Sequence, residues 1–273
     1  MGVVLVTGCS SGFGLLTAVS FARRGDRVFA TMRDTAKSGD LMAAASAAGV
    51  TVEVMALDVT DDASVTTGIA GILADAGQID VLVNNAGVGA RAAIEMYPDR
   101  VVRDVFETNV FGVWRMVRAV LPGMRERGSG AIVNVSSIAG LVAPPFNGLY
   151  SSTKHALEAM TEAMAFEVET FGVRVALIEP GYFQTNIGVN VAAKTVLTDT
   201  SPYAEAERQA VERMHEAVAG GGDPQVVADL IVEAATTEAP RLRWLAGDDA
   251  QAMATARRTM SESQWAELIR GPR

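Results

Sequence analysis

Three observations predict a doubly wound α/β fold, with one parallel sheet of seven strands and helices on both faces. Short β-branched runs alternate with longer helical patterns from end to end of the chain. The runs are apolar nearly throughout, as in strands covered on both faces, rather than alternating like half-exposed ones. A glycine-rich turn, Gly8 to Gly14, joins the first run to the first helix. No stretch is rich enough in Pro, Gly or Ser to divide the chain, so all 273 residues are expected in a single domain.

The elements follow in order. The run Val3–Thr7 leads into a helix over Gly12–Arg24, and Arg27–Met32 into Thr35–Ala48. Thr51–Leu57 precedes Asp61–Ala76, and Ile79–Val83 precedes Asp99–Arg127. Ala131–Ser136 precedes Tyr150–Phe171, and Val173–Glu179 ends the sixth unit. A helix over Pro224–Thr237 then feeds the last strand, Leu242–Ala246. A final helix fills Asp249–Ile269, with Met253, Ala256, Met260, Trp265, Leu268 and Ile269 as its apolar stripe. Residues 186–222 break the rhythm. They are too long for an ordinary connection and carry an amphipathic stretch, Ala204–Val218, before the glycines 220–222, so they read as a substrate lid with a hinge.

Composition removes several function classes. Lys and Arg number 23 against 32 Asp and Glu, a net charge of −9, whereas a general nucleic-acid binder is normally basic. The single cysteine, Cys9, permits no intrachain disulfide. Gly2–Val6 is too short for the apolar part of a signal peptide, and no run approaches the ~20 apolar residues of a membrane span. No Cys, His or carboxylate cluster has metal-ligand spacing, so no metal is expected. A soluble, cytoplasmic protein without nucleic-acid or membrane partners is the expectation.

The first turn, Thr7-Gly8-Cys9-Ser10-Ser11-Gly12-Phe13-Gly14, has the strand–turn–helix context of a dinucleotide loop. Its glycines let the backbone approach a pyrophosphate, and the helix start offers free N–H groups. The second strand ends at Met32-Arg33-Asp34. An acid at the strand end would bind a ribose 2′-hydroxyl; Met32 stands there instead, and Arg33 suits a 2′-phosphate. NADP(H) is therefore favoured over NAD, with Asp34 as the feature that counts against it. Asp58-Val59 suits adenine, while an Asp there also suits a helix start. In Asn84-Asn85-Ala86-Gly87 the small residues admit a flat cofactor and the amides can tie neighbouring strands.

Tyr150 and Lys154 are four residues apart and share one face of a helix. Bringing a phenol from pKa ~10 to ~7 needs about 4 kcal/mol of preference for the anion, and a neighbouring ammonium contributes to it. Such a Tyr can exchange a proton with an alcohol or ketone oxygen. Asn134-Val135-Ser136-Ser137 ends the fifth strand, on the side where such sheets bind ligands.

These motifs, in this order and over nearly the whole chain, resemble the short-chain dehydrogenase/reductase superfamily. They are TGCSSGFG at 7–14, DV at 58–59, NNAG at 84–87, Asn109, NVSS at 134–137, YSSTK at 150–154 and PGYFQT at 180–185. The loop and ATMRD resemble the hydroxysteroid and retinol dehydrogenase branch. The resemblance implies a Rossmann-type fold and a catalytic tetrad of Asn109, Ser137, Tyr150 and Lys154. Ser137 would polarise the substrate, Tyr150 act as general acid/base, Lys154 lower its pKa and hold the nicotinamide ribose, and Asn109 support a proton-relaying water. It also implies cofactor contacts from Gly8, Ser10, Ser11, Gly12, Phe13, Gly14, Arg33, Asp58, Val59, Asn85, Ala86, Gly87, Pro180, Gly181, Phe183 and Thr185. NADP-preferring members often carry a basic residue inside the glycine loop, and this loop has none.

The uncharged run between Ser137 and Tyr150, with Val88, Ile187, Val189 and Val191, is expected to wall an apolar pocket for a ketone or secondary alcohol. Arg91 is the residue that keeps acidic substrates open. His155, His215 and Cys9 are read as bland. A regulatory nucleotide binder, or a tetrad enzyme performing dehydration or epimerisation, are the alternatives. Trp114, Met160, Met164 and Phe166 leave apolar positions on more than one face of their helices, which with the resemblance predicts a homodimer or homotetramer.

Overall fold

The computed structural model describes residues 2–185 and 201–270. Seven strands form one parallel sheet: β1 (Val3–Thr7), β2 (Arg27–Met32), β3 (Glu53–Ala56), β4 (Val81–Asn84), β5 (Gly130–Val135), β6 (Val173–Pro180) and β7 (Arg243–Ala246). Their order is β3-β2-β1-β4-β5-β6-β7. The helices are α1 (Gly12–Arg23), α2 (Gly39–Ala47), α3 (Asp62–Ala76), α4 (Asp99–Phe106), α5 (Gly112–Arg127), α6 (Gly148–Val168), α7 (Ala204–Ala219), α8 (Gln225–Thr236), α9 (Asp248–Thr259) and α10 (Glu262–Arg270).

Strand side chains alternate between faces. Val4 and Val6 of β1 enter one apolar layer with Phe21 of α1, Leu41 of α2 and Ile231 of α8. Leu5, between them, enters the other with Ile69 of α3, Met116 of α5 and Met164 of α6. Both faces are therefore core, which explains the continuous apolar runs. The strand order reverses between β1 and β4, and the loops leaving these two strands open the crevice where open α/β sheets bind ligands.

Several expected elements are divided. The segment from Asp99 to Arg127 holds two helices joined by a π-turn, Glu107–Phe111, that carries Asn109. Before α2, Asp34 caps a separate 3₁₀ turn, Thr35–Lys37, by accepting from the Ala36 amide. The expected final helix is two: Met260 is extended, and Ser261 and Gln264 make a reciprocal capping box that starts α10. The apolar stripe drawn for it is not its buried face. Ala250 and Ala254 are buried, and Met260 and Leu268 are exposed. Small residues make that contact, which a search for large apolar side chains passes over. Of the four residues read as spare apolar surface, Trp114 and Phe166 are exposed, whereas Met164 is core.

The expected helix at 204–218 is present as α7. Residues 186–200 of the expected lid, with Ile187, Val189 and Val191, lie outside the described residues. The glycines at 220–222 return the chain alongside Tyr182 and Phe183, where Phe183 bridges to Gly222. Among the described residues no helix is long and apolar enough to cross a membrane, and no group of His, Cys, Asp and Glu could hold a metal ion.

Candidate active site

A cleft of about 1180 Å³ runs along the carboxyl ends of the strands. Its first part is made of backbone. Gly8 has φ +74°, and a Cβ there would stand 2.8 Å from the Ala86 Cα. A Cβ on Gly14 would stand 2.5 Å from the Gly8 carbonyl oxygen and collide with the Asn85 amide. The two loops are laced together. Thr7 Oγ1 accepts from the amides of Asn85 and Ala86, each at 3.0 Å, and Asn85 Nδ2 donates to the carbonyls of Thr7 (2.8 Å) and Gly8 (3.1 Å). Asn84 donates to Asn134 at 2.8 Å, joining β4 to β5. Both asparagines thus serve as ties between strand ends. Ser11 precedes α1 without capping it by its side chain, and the first turn of α1 holds no acid. Those N–H groups therefore suit an anion. Cys9 is buried with its thiol on the Val6 carbonyl (3.2 Å), and burial pushes its pKa up, the opposite of an activated nucleophile.

At the rim, Met32 is buried and Arg33 is exposed. Both line the cleft, as does Lys37, which sequence reasoning missed. The signal for Lys37 was Asp34, which caps the 3₁₀ turn that ends at Lys37. Asp58 does not cap α3. It accepts from the amide (2.9 Å) and hydroxyl (2.8 Å) of Thr60, while Asp61 caps the helix through the amides of Ala63 and Ser64.

The second part is made of side chains. Ser137 is the N-cap of a 3₁₀ turn, accepts from the Ala139 amide (3.1 Å) and donates to the Pro180 carbonyl (3.4 Å). Tyr150 and Lys154 lie on the first turns of α6, and Nζ of Lys154 is 5.6 Å from the Tyr150 ring centre. Lys154 is buried and donates to the Val135 carbonyl at 2.8 Å. Burial pulls its pKa down to about 8, and Glu158, one turn along α6, opposes this. Burial pushes the Tyr150 phenol up to about 12; hydrogen bonding with Ser137 and the charge of Arg91 pull it back. Asn109 lies behind the cleft. Its amide donates to the Val88 carbonyl (2.8 Å) and Thr153 Oγ1 (3.0 Å), and its Oδ1 accepts from the Val88 amide (2.9 Å).

Gly8, Ser10, Ser11, Gly12, Phe13, Arg33, Asp58, Val59, Asn85, Ala86, Gly87, Ser137, Tyr150, Lys154, Pro180, Gly181, Phe183 and Thr185 all line this one cleft. Gly14 and Asn109 do not; they pack against the residues that do. Phe13 meets Phe183 edge to face at 5.8 Å. Asp249 of α9, not foreseen, holds the turn at 181–182 by accepting from the Tyr182 amide at 2.7 Å. The expected wall differs. None of residues 138–149 lines the cleft, and of their large apolar side chains Leu149 and Val142 are buried. Val88 lines the cleft as expected, with Tyr182 and, from α7, Val218 in place of the run. His155 and His215 are exposed, and His155 meets the Ser151 carbonyl.

Residues 2–195 match the short chain dehydrogenase family. The uncharacterized oxidoreductase YusZ of Bacillus subtilis is 39% identical, over 98% of this chain and 97% of that protein. Human retinol dehydrogenase 8 is 38% identical, over 88% of this chain and 79% of its own. Rat estradiol 17-beta-dehydrogenase 1 is 35% identical, over 89% and 72%. Among solved structures, a short-chain dehydrogenase from Streptomyces avermitilis is 40% identical, with TM-score 0.83 and coverage of 98% and 95%. One from Burkholderia phymatum in complex with NAD is 28% identical (TM-score 0.83; 100% and 96%). A metagenomic short-chain oxidoreductase in complex with NADP is 26% identical (TM-score 0.72; 90% and 96%). With the family match covering most of the sequence, this chain belongs to the short-chain dehydrogenase family of oxidoreductases and, within it, resembles the hydroxysteroid and retinol dehydrogenases.

Proposed function

We propose that the protein is an NADP(H)-dependent oxidoreductase that interconverts a secondary alcohol and a ketone on a largely apolar small molecule, with Tyr150 as general acid/base. The observation that carries this reading is the convergence of Ser137, Tyr150 and Lys154 on the same cleft as the glycine loop. The residues fit a dinucleotide. A Cβ would fill the cradle at Gly8 and Gly14, and the uncapped start of α1 suits a pyrophosphate. Solved relatives hold NAD in one case and NADP in another, so the choice rests on Arg33 and Lys37 at the rim, with apolar Met32 where an acid would select NAD.

The bound cofactor supplies or accepts the hydride at the carbonyl carbon. Ser137 and Tyr150 hold the substrate oxygen, and in reduction the Tyr150 phenol gives it a proton. A phenol with a raised pKa is fully protonated at neutral pH, as this direction requires. Lys154, its pKa lowered only to about 8, is still largely an ammonium there and favours the phenolate left behind. By the family resemblance it also holds the nicotinamide ribose. Asn109 holds the 88 loop against Thr153 and so positions Lys154, beside any proton relay it supports. Val218 of α7 reaches the cleft and supports a substrate-side role for the described part of the expected lid.

Tyr150→Phe is expected to lower turnover of a ketone panel by about 10²–10⁴-fold while NADPH still quenches tryptophan fluorescence as in the parent. Near-parental turnover in the variant would overturn the assignment. Trp114 and Phe166, 52% and 71% exposed, support association of copies through α5 and α6. Light scattering at micromolar concentration is expected to give a dimer or tetramer, and a monomer would refute this.

A further inference from the structure

We propose that Arg91 is the substrate-recognition residue of this cleft, a buried guanidinium held next to Tyr150 that receives a carboxylate borne close to the reacting carbonyl. The preferred substrate is then a keto or hydroxy acid with an apolar body. This deepens the reading of the site given above and rests on it.

Arg91 is only 9% exposed. Among the described residues no carboxylate forms an ion pair with it, and its Nε is buried with no hydrogen-bond partner. Arginines buried this far are ordinarily paired, because desolvating a charge is unfavourable. What surrounds Arg91 instead is phenolic oxygen. Burial lowers its pKa, and the hydroxyls of Tyr182, Tyr97 and Tyr150 oppose that. Two of these, Tyr150 and Tyr182, line the cleft, and Arg91 stands behind them. A guanidinium remains charged throughout the working pH range.

The surroundings hold this residue in place from both sides. Tyr97 Oη accepts from the Ala92 amide (2.9 Å) and donates to the Ala90 carbonyl (3.1 Å), clamping the backbone around Arg91. Glu207 of α7 accepts from the Ala93 amide at 2.7 Å. The clamps bind backbone and leave the guanidinium without a counter-charge, its own hydrogen bond going to the neutral Tyr182 hydroxyl. Its flanking neighbours Ala90, Ala92 and Ala93 are small and buried and offer it no counter-charge. A buried cation with no counter-charge, set among neutral hydroxyls, is the arrangement that makes a charge-assisted, bidentate contact with carboxylate strong. It also accounts for a polar residue that does nothing for the fold, since binding sites tolerate such local cost.

The test uses benzoylformate and its methyl ester with NADPH, on the parent, Arg91→Met and Arg91→Lys. The parent is expected to favour the acid, through KM. Arg91→Met should lose about 10–100-fold in kcat/KM for the acid, as removal of a hydrogen-bonded charge implies, while the ester changes less than about threefold. Arg91→Lys should recover part of the acid activity. Arg91→Met should melt no lower than the parent, because it removes an unpaired buried charge. An equal loss for acid and ester, or a clear fall in melting temperature, would make Arg91 a structural or positioning residue and overturn the proposal. A readout without turnover separates this from failure of the enzyme reading. Benzoate, but not benzyl alcohol, should raise the melting temperature of the parent with NADPH and not that of Arg91→Met. That result with no ketone reduced would sink the activity and keep the anion site; no benzoate effect with active ester reduction would do the reverse.

Discussion

The two ends of the cleft are built from different materials. At the glycine loop the shape is backbone: Thr7, Asn85 and Asn84 hold strand ends together, and glycines let the chains come within contact distance. At the other end the surface is side chain: Ser137, Tyr150, Lys154, Tyr182, Val218 and, behind them, Arg91. Backbone can be displaced only as a whole, whereas a side chain can be exchanged while its neighbours stay. The first end should therefore respond to substitution abruptly and without regard to substrate, the second gradually and with selectivity.

The sharpest way to break that contrast is Gly14→Ala. The added methyl meets the Gly8 carbonyl at 2.5 Å, and backbone there is pinned by Asn85. Overpacking of this kind costs about 1–3 kcal/mol. Binding of NADPH and NADH is expected to fall together, by at least about tenfold, with a lower melting temperature. If fluorescence titration gave parental affinity for both, the loop would not be a rigid cradle.

Arg33→Ala should behave differently although it lies at the same end, because Arg33 is exposed and only its side chain is at stake. Losing a charge-assisted contact with a 2′-phosphate removes about 1.5–3 kcal/mol, or roughly 10–100-fold in NADPH affinity, and leaves NADH unchanged. Lys37 on the same rim moderates the loss. Equal binding of the two cofactors by the parent would mean that Asp34 decides instead.

The same division explains what could be read from sequence. Backbone geometry demands particular residue types at fixed spacing, so the glycine loop, Asn84-Asn85 and the Tyr150–Lys154 pair were legible, as were the seven strands from their apolar runs. Features that depend on which way a side chain turns were not. Residues 138–149 have the composition of a pocket wall, yet Val142 and Leu149 face the interior. Asp249 and Lys37 act at the cleft through turns that spacing does not reveal. The π-turn at Asn109 keeps helical periodicity on either side and so leaves no break in the pattern. In α9 alanines form the buried face, and alanine carries little periodic signal.

Glu207 gives the finest test of the contrast, since it belongs to α7 yet acts through backbone. One oxygen accepts from the Ala93 amide at 2.7 Å and the other is buried with no partner among the described residues. Glu207→Leu leaves that amide unpaired, at about 1–3 kcal/mol, but also removes a half-satisfied buried carboxylate, which offsets part of the loss. A fall in melting temperature of a few degrees is expected, with KM for ketones rising severalfold as the 90–93 loop loosens, and with NADPH affinity unchanged. Were NADPH affinity to fall as well, α7 would be coupled to the glycine loop and the two ends would not be separable. A rise in KM alone would place α7, through its hold on the loop that carries Arg91, wholly on the substrate side.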